Sequence, residues 1–215
     1  MHGSQLLDDM LPIYDVSDGV ALVVEADPQT AWDAVLATDL VQLGRRRPLV
    51  GLLGAVRALP EIVGGLLRGR KPTKPPQHLT LLDTASLRMG DGGWVLLGRR
   101  DSEIALGLVG RFWRPVIEFA DVSDAEAFQA FSRPGFAKTV YALSAEELDP
   151  GTTLLTAVMR TATTDEHARR WFRRYWALGV GAGAHVLARA LLEGARDSAE
   201  RRIRESRPQT EACGS

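Results

Sequence analysis

A chain of 215 residues is long enough for one large domain or two small ones. Hydrophobic residues make up 45% of it and charged residues 25%, which are the proportions of a globular protein that can bury a core. The formal net charge of -1 excludes a strong overall attraction to nucleic acid.

The cysteine content and the first residues bear on the compartment. The single cysteine, Cys213, excludes an internal disulfide and a cysteine-based zinc site, and it fits a reducing compartment. The chain begins without the basic start and long apolar segment of a signal peptide. Its longest apolar stretch, Pro48 to Leu67, is interrupted by Arg57, Pro60 and Glu61, which disfavour a membrane-spanning helix. We therefore expect a soluble, cytoplasmic protein.

The first predicted elements are a strand and a helix. Ile13 to Ala26 is predicted to be a strand, and its part from Gly19 to Ala26 is rich in valine. Asp27 is placed to cap a following helix, with Pro28 at its first position. That helix is predicted to end at Thr38.

The next segment is predicted to contain a loop, a helix and a basic linker. Residues 44–48, which include three arginines, are predicted to be a loop, and a second helix is predicted from Pro48 until Pro60 breaks it. The basic, proline-rich residues 68–77 are predicted to be extended and solvated.

The middle of the chain is predicted to be a run of antiparallel strands, because short turns separate neighbouring apolar segments. A short helix is expected over Asp124 to Phe131. The predicted strands are Leu79–Met89, Trp94–Arg99, Glu103–Trp113, Phe136–Leu148 and Thr152–Thr163.

A long helix is predicted to follow the last strand. Asp165 would cap it and Glu166 would strengthen its first turn, and it would continue to about Arg204, before a disordered tail over residues 205–215. Glycines near its middle predict a kink or a close approach by another backbone, because each costs a helix about 1 kcal/mol relative to alanine. The i, i+4, i+7 spacing of Trp171, Tyr175 and Leu178 predicts that these residues face the sheet.

This order of elements predicts an α+β fold in a single domain over residues 1–204. A curved antiparallel sheet of six or seven strands would wrap around the C-terminal helix, which is the element long enough to cover it.

Six segments resemble an SRPBCC-type family common in actinobacteria, within the START-like superfamily that includes Bet v 1-like and polyketide cyclase-like proteins. The segments are Leu11–Asp15, Ala26–Pro28 with Trp32, Arg57–Pro60, Gly107–Trp113, Pro134–Phe136 and Phe172–Trp176. The resemblance implies the helix-grip fold. It leaves function open, because the superfamily includes lipid carriers, cyclases, hormone sensors and chaperone cofactors. The chain also departs from it, since Ala157, Val158 and Met159 stand before Arg160 where the resemblance implies a threonine–glutamate pair.

The familiar catalytic and cofactor motifs are absent from the sequence. The four histidines lack metal-site spacing, and there is no nucleophile elbow, P-loop or dinucleotide fingerprint. Residues 90–93 are glycine-rich but lie between two predicted strands, so they are interpreted as a turn. No cofactor or metal is expected.

Charged residues in the predicted strands have two interpretations. Glu103, Arg111 and Arg160 are either solvated or form a pair inside the sheet, with Glu103 bonded to Arg160 or Arg111 and able to orient a polar head group. Other candidate ligand contacts lie on the C-terminal helix, where small residues would leave space beside the sheet: Tyr175, Gly179, Ala182 and Gly183.

The preferred hypothesis is binding or carriage of a small hydrophobic ligand in a cavity between the sheet and the C-terminal helix, without catalysis. The alternative is an aromatase/cyclase-type enzyme acting on a polyketide-like substrate, with Arg, Glu and Tyr side chains assisting proton transfer. An interaction module without a ligand is a third class. No nucleic-acid partner is expected, and residues 68–77 are a candidate for peripheral membrane contact.

Overall fold

The computed structural model describes residues 4–47, 77–84, 88–89 and 92–206. The helix predicted from Pro48, most of the basic segment 68–77, the centre of the glycine turn at 90–91 and the tail beyond Ser206 lie outside these residues.

The described elements follow one another as short helices, a run of strands and a long C-terminal helical segment. They are α1 Gln5–Met10, β1 Val16–Val24, α2 Pro28–Leu36, α3 Leu40–Arg46, α4 Leu81–Thr84, β2 Arg88–Met89, β3 Gly92–Gly93, β4 Val95–Arg100, β5 Glu103–Arg111, β6 Glu118–Phe119, α5 Ala125–Ala130, β7 Ala137–Asp149, β8 Thr152–Thr163, α6 Glu166–Tyr175, a π-helical turn Trp176–Val180, and α7 Gly181–Ser206.

The main sheet has six strands and is antiparallel throughout. Its order is β1-β8-β7-β5-β4, with the short β6 paired to β5, while β2 and β3 pair separately. The longest pairing is the β7–β8 hairpin, which runs from Ala137 opposite Thr163 to Asp149 opposite Thr152. The α+β prediction, with an antiparallel sheet of six or seven strands and a long C-terminal helix, is confirmed.

The central part of the sheet is covered on both faces. One face, here called the helix face, carries Leu155 and Ala157 and packs against α2 and α7. The other, here called the back face, carries Ala105 and Val140 and packs against α1 and α5. The central strand β5 is consequently buried at all of its positions except Arg111.

The helix α1 on the back face was not predicted from the sequence. Its first turn is capped by Ser4, whose hydroxyl accepts a hydrogen bond from the Leu7 amide at 3.1 Å. Leu6 and Leu7 are buried against the sheet. The element is only six residues long, so tertiary packing rather than helix propensity holds it.

Two predicted assignments are wrong, and capping explains both. Residues 79–89 are not one strand, because Thr80 and Asp83 exchange hydrogen bonds across the first turn of α4 (Thr80 amide to Asp83 Oδ2, 2.9 Å; Asp83 amide to Thr80 Oγ1, 3.3 Å). Residues 44–48 are not a loop throughout, because α3 continues to Arg46. Asp39 starts that helix by accepting from the Val41 amide at 2.9 Å.

The predicted kink in the C-terminal helix is confirmed. Asp165 caps α6 as predicted, accepting from the Ala168 amide at 2.7 Å. The helix is then interrupted at Gly179, whose φ of 98° lies in the left-handed region. A Cβ on Gly181 would stand 2.6 Å from the Trp176 ring, so this glycine allows the close approach of the indole.

The predicted orientation of this helical segment is wrong for Trp171 and Leu178, whereas Tyr175 is partly buried and packs beside Phe172. Ala168 and Phe172 are buried, whereas Trp171 is 44% exposed and Leu178 is 84% exposed. The edge-to-face contact of Phe172 with Phe112, at 6.4 Å between ring centroids, fixes the inward face. No helix among the described residues is long and apolar enough to cross a membrane.

Candidate functional site

The three charged residues predicted to line a ligand cavity all lie on the back face, away from the C-terminal helix. Glu103 accepts hydrogen bonds from the Ser4 hydroxyl and, at 3.3 Å, from the Leu6 amide, and it lies 3.6 Å from Arg100. It is only 8% exposed, so these bonds satisfy a buried carboxylate that anchors α1.

Arg111 and Arg160 have separate partners. Arg111 donates to the Gly135 carbonyl at 2.9 Å and to Glu118 at 3.1 Å. Arg160 donates to Asp8 at 2.6 Å, and its guanidinium lies 4.6 Å from the centre of the Tyr14 ring. The predicted pairing of Glu103 with Arg160 or Arg111 is therefore wrong.

The candidate ligand contacts on the C-terminal helix differ in their exposure to solvent. Gly179 and Ala182 are exposed, and a Cβ on Gly179 would meet no atom within 4 Å. Gly183 is half-buried, and Tyr175 packs at the edge of a cluster that contains Leu108 and Phe172. Gly179 and Ala182 therefore face open space rather than an interior cavity.

The helix face carries a row of polar and sulfur-containing side chains that sequence reasoning did not assemble. Asp18 of β1 lies opposite Met159 of β8, and Met159 lies opposite Tyr141 of β7. Because cross-strand partners project on the same side of a sheet, the three side chains form one row.

Tyr141 contributes the hydroxyl group of this row. Its ring meets Trp94 edge to face, with centroids 6.1 Å apart and an interplanar angle of 73°. Burial, and then the nearby negative charge of Asp18, raise the pKa of Tyr141 to about 12. The phenol is therefore neutral at pH 7, and no described residue hydrogen-bonds to its hydroxyl.

The C-terminal helix contributes His185 to the end of this row. Its Nδ1 lies 3.1 and 3.2 Å from the two carboxylate oxygens of Asp18. The His185 side chain is 46% exposed and the Asp18 side chain 28%, so the pair stands where the row opens to solvent.

The adjacent row is closed to new polar contacts. The hydroxyls of Thr139 and Thr161 lie 2.9 Å apart and both residues are buried, so they satisfy one another. Leu108 lies opposite Thr139. The two threonine hydroxyls are therefore already paired with each other rather than available to a ligand beside Tyr141.

We refer to Asp18, Tyr141, His185 and the flanking Trp94 and Met159 as the helix-face site. The site offers one neutral hydroxyl that both donates and accepts, one carboxylate, one imidazole and an apolar wall. Within the described part of the chain, no three His, Cys, Asp or Glu residues cluster as metal ligands would.

A sequence signal for Asp18 exists. Val16, Asp18, Val20, Leu22 and Val24 share one face of β1 by their period of two. Asp18 is the charged exception on a face that is otherwise valine and leucine, which indicates a functional or specially paired carboxylate. Tyr141 carries no comparable signal.

Two clefts among the described residues lie elsewhere. One, of about 480 Å³, is lined by Gln42, Arg45, Arg46 and His78 among others. The second, of about 390 Å³, lies between α3 and the C-terminal part of α7. Neither is the predicted cavity between the sheet and the helix.

Comparison with known proteins gives two distant structural similarities. No family model and no curated protein matches the chain. A conserved protein from Geobacillus kaustophilus is 10% identical, with 86% of this chain and 96% of that chain covered at a TM-score of 0.36. The Zhui aromatase/cyclase from Streptomyces sp. R1128 is 12% identical, with 87% and 95% covered at a TM-score of 0.32. At these values neither structure transfers a ligand, a reaction or a site residue to this chain.

Proposed function

We propose that this protein binds a small, mostly apolar molecule at the helix-face site, with a polar group of that molecule hydrogen-bonded to Tyr141. The observation that carries the proposal is the Tyr141 hydroxyl. It is held by the contact with Trp94, has its pKa raised to about 12, and lacks a hydrogen-bond partner among the described residues. A partly desolvated hydroxyl gains about 1 kcal/mol from a good partner.

The electrostatic environment of Tyr141 also determines which kind of polar group the ligand can place beside its hydroxyl. The burial and the Asp18 charge that disfavour the tyrosinate form of Tyr141 also disfavour an anionic ligand group at that position. A neutral hydroxyl or carbonyl avoids this repulsion. The ligand is therefore expected to present a neutral polar group, rather than the carboxylate that an arginine-based site would orient.

Three naphthalene probes test this proposal, because they share one apolar body. We expect 2-naphthol to bind more tightly than naphthalene, and 2-naphthoate to bind most weakly, when each displaces the neutral dye N-phenyl-1-naphthylamine. The hydrogen bond of 2-naphthol is expected to give an advantage of about fivefold over naphthalene.

Tyr141→Phe is expected to abolish that advantage while naphthalene binding is retained. Tyr14→Phe is the matched control, because Tyr14 lies on the far side of the sheet beside Arg160. Equal binding of the three probes by the wild type, or tightest binding of 2-naphthoate, would refute the proposed site.

A second candidate function, an aromatase/cyclase-type enzyme, is favoured by the Asp18–His185 contact beside Tyr141. Three titratable groups on one face are a minimum for moving protons, with Tyr141 as a neutral donor and Asp18 as an acceptor. Native mass spectrometry of protein from its own host would identify a co-purified molecule, which is then incubated with the wild type and with Asp18→Asn. Conversion by the wild type alone would favour the enzyme, and binding without conversion would favour the carrier.

A further inference from the structure

The outer face of α6 and the π-helical turn combines arginines with exposed apolar side chains. Arg170, Arg173 and Arg174 are exposed and form no ion pair with another described residue. Arg169 differs from them, because it pairs with Asp15 at 2.7 Å and with Glu166 at 3.0 Å. Three arginines within two turns of helix therefore have no ion-pair partner among the described residues.

Two large apolar side chains lie among these charges. Trp171 is 44% exposed and lies 5.5 Å from the Arg174 guanidinium, while Leu178 is 84% exposed. The positive φ of Gly179 ends the regular helix, so Leu178 stands at the corner between α6 and α7. An isolated exposed leucine is ordinary, but one that shares a surface with an exposed tryptophan and three exposed arginines forms an amphipathic patch.

We propose that this patch, consisting of Arg170, Trp171, Arg173, Arg174 and Leu178, docks on a membrane surface containing anionic phospholipid. A basic helix face with tryptophan and leucine has the composition of a helix that lies in the membrane interface. The arginines would contact headgroup phosphates through extended stems, while Trp171 and Leu178 enter the boundary between headgroups and acyl chains.

The overall charge of -1 does not oppose this interaction. Charge attraction to an anionic surface decays over a Debye length of about 8 Å at physiological ionic strength. The charges of the patch therefore contribute more to the electrostatic attraction between protein and membrane than the distant charges of the rest of the chain do. The exposed Leu178 favours a membrane over nucleic acid, because phosphates and sugars along a duplex offer it no apolar partner.

The docking surface is independent of the helix-face site. Phe172 and Ala168 form the inward face of α6, whereas the patch occupies its outward face. Failure of membrane binding would therefore leave the ligand proposal untouched, and failure of ligand binding would leave this one untouched.

Vesicle flotation tests the proposal. The full chain is expected to float with phosphatidylcholine vesicles that contain phosphatidylserine, to remain unbound with pure phosphatidylcholine, and to be released by added salt. The triple variant Arg170→Gln, Arg173→Gln, Arg174→Gln is expected to bind on the order of a hundredfold more weakly. Leu178→Ser is expected to weaken binding about tenfold, by loss of apolar contact.

Matched controls lie on the same helical segment. Arg201→Gln, Arg202→Gln, Arg204→Gln makes the same charge change on exposed positions at the far end of α7, and Leu187→Ser removes a leucine that is 43% exposed. Both are expected to bind vesicles like the wild type. Equal loss in the controls, or no binding to anionic vesicles, would overturn the proposal. Tighter binding to a random-sequence DNA duplex, unchanged by Leu178→Ser, would overturn it in favour of nucleic acid.

Discussion

His185 Nδ1 lies 3.1 Å from Asp18 Oδ1 and joins the C-terminal helix α7 to the edge strand β1. Asp18 is also the charge that acts on Tyr141 two strands away. One carboxylate thus links the covering helix to the only tyrosine in the sheet's helix-face row. The helix-face site is consequently assembled from five separate segments of the chain.

Asp18→Asn is predicted to lower the pKa of Tyr141 from about 12. Removing the negative charge makes the phenolate easier to form, but burial is the larger cause of the shift, so the pKa stays above the ordinary value of 10. The measurement is the pH dependence of tyrosinate absorbance, taken as the difference between each protein and its Tyr141→Phe counterpart. Asp101→Asn, in the exposed turn between β4 and β5, is the control, and an equal decrease there would contradict the assignment.

Asp39 is predicted to make stability depend on pH in the acid range. Burial raises the pKa of Asp39, but hydrogen bonds from His78 and from the Gln42, Leu79 and Val41 amides outweigh it and lower the pKa to about 2. A carboxylate whose pKa falls on folding stabilises the protein above its unfolded pKa of 3.8, and this contribution is lost as the pH falls towards 2.

Asp39→Asn is therefore expected to lose less stability than the wild type between about pH 4 and pH 2. At pH 7 its free energy of unfolding should be at most slightly lower, because asparagine also caps helices. Urea unfolding at several pH values measures both effects. Parallel wild-type and variant curves would show that the Asp39 hydrogen bonds are not made in solution.

Glu103→Gln is predicted to lower the free energy of unfolding by about 1–3 kcal/mol and to leave probe binding unchanged. The buried carboxylate accepts from the Ser4 hydroxyl and the Leu6 amide on the back face, so its loss loosens α1 without touching the helix-face site. Glu146→Gln, at an exposed position of β7, is the matched control. Weaker 2-naphthol binding in Glu103→Gln, with stability unchanged, would restore Glu103 as a ligand contact.

Gly179→Ala is predicted to destabilise the protein by about 1 kcal/mol, because its φ of 98° is disfavoured for any residue with a Cβ. A clash makes no contribution, since a Cβ there would meet nothing within 4 Å. Gly19→Ala in β1 is the control, because its backbone is not left-handed and the new Cβ would approach Val158 at an ordinary 3.4 Å. Equal stability of Gly179→Ala and the wild type in urea would indicate that the kink relaxes.

Local signals in the sequence were sufficient for the caps and hairpins. Asp27 and Asp165 each accept a hydrogen bond from an amide three residues later, as predicted, and Asp124, which was predicted only as the first residue of a helix, does the same. The tight turn at Asp149–Gly151 and the alternation along β7 and β8 similarly determine an antiparallel pair, because both ends of the interaction lie within a few residues of one another.

The sequence by itself determined the strand hairpins, their antiparallel pairing and an irregularity among the glycines near the middle of the C-terminal helix, since each depends on neighbouring residues. Only the tertiary structure decided which face of the sheet meets which helix. The residues of β5 from Glu103 to Gly110 are all buried, so no alternation of polar and apolar residues distinguishes its two faces. Glu103 lies on the back face because Ser4 and Leu6, which are 99 and 97 residues away in sequence, donate hydrogen bonds to its carboxylate. The same long-range packing turns Trp171 outward and sets Tyr141 beside Trp94 and Asp18. A period of two or 3.6 residues specifies that a strand or helix has an inner face, but the partner that covers it is selected by packing over the whole chain.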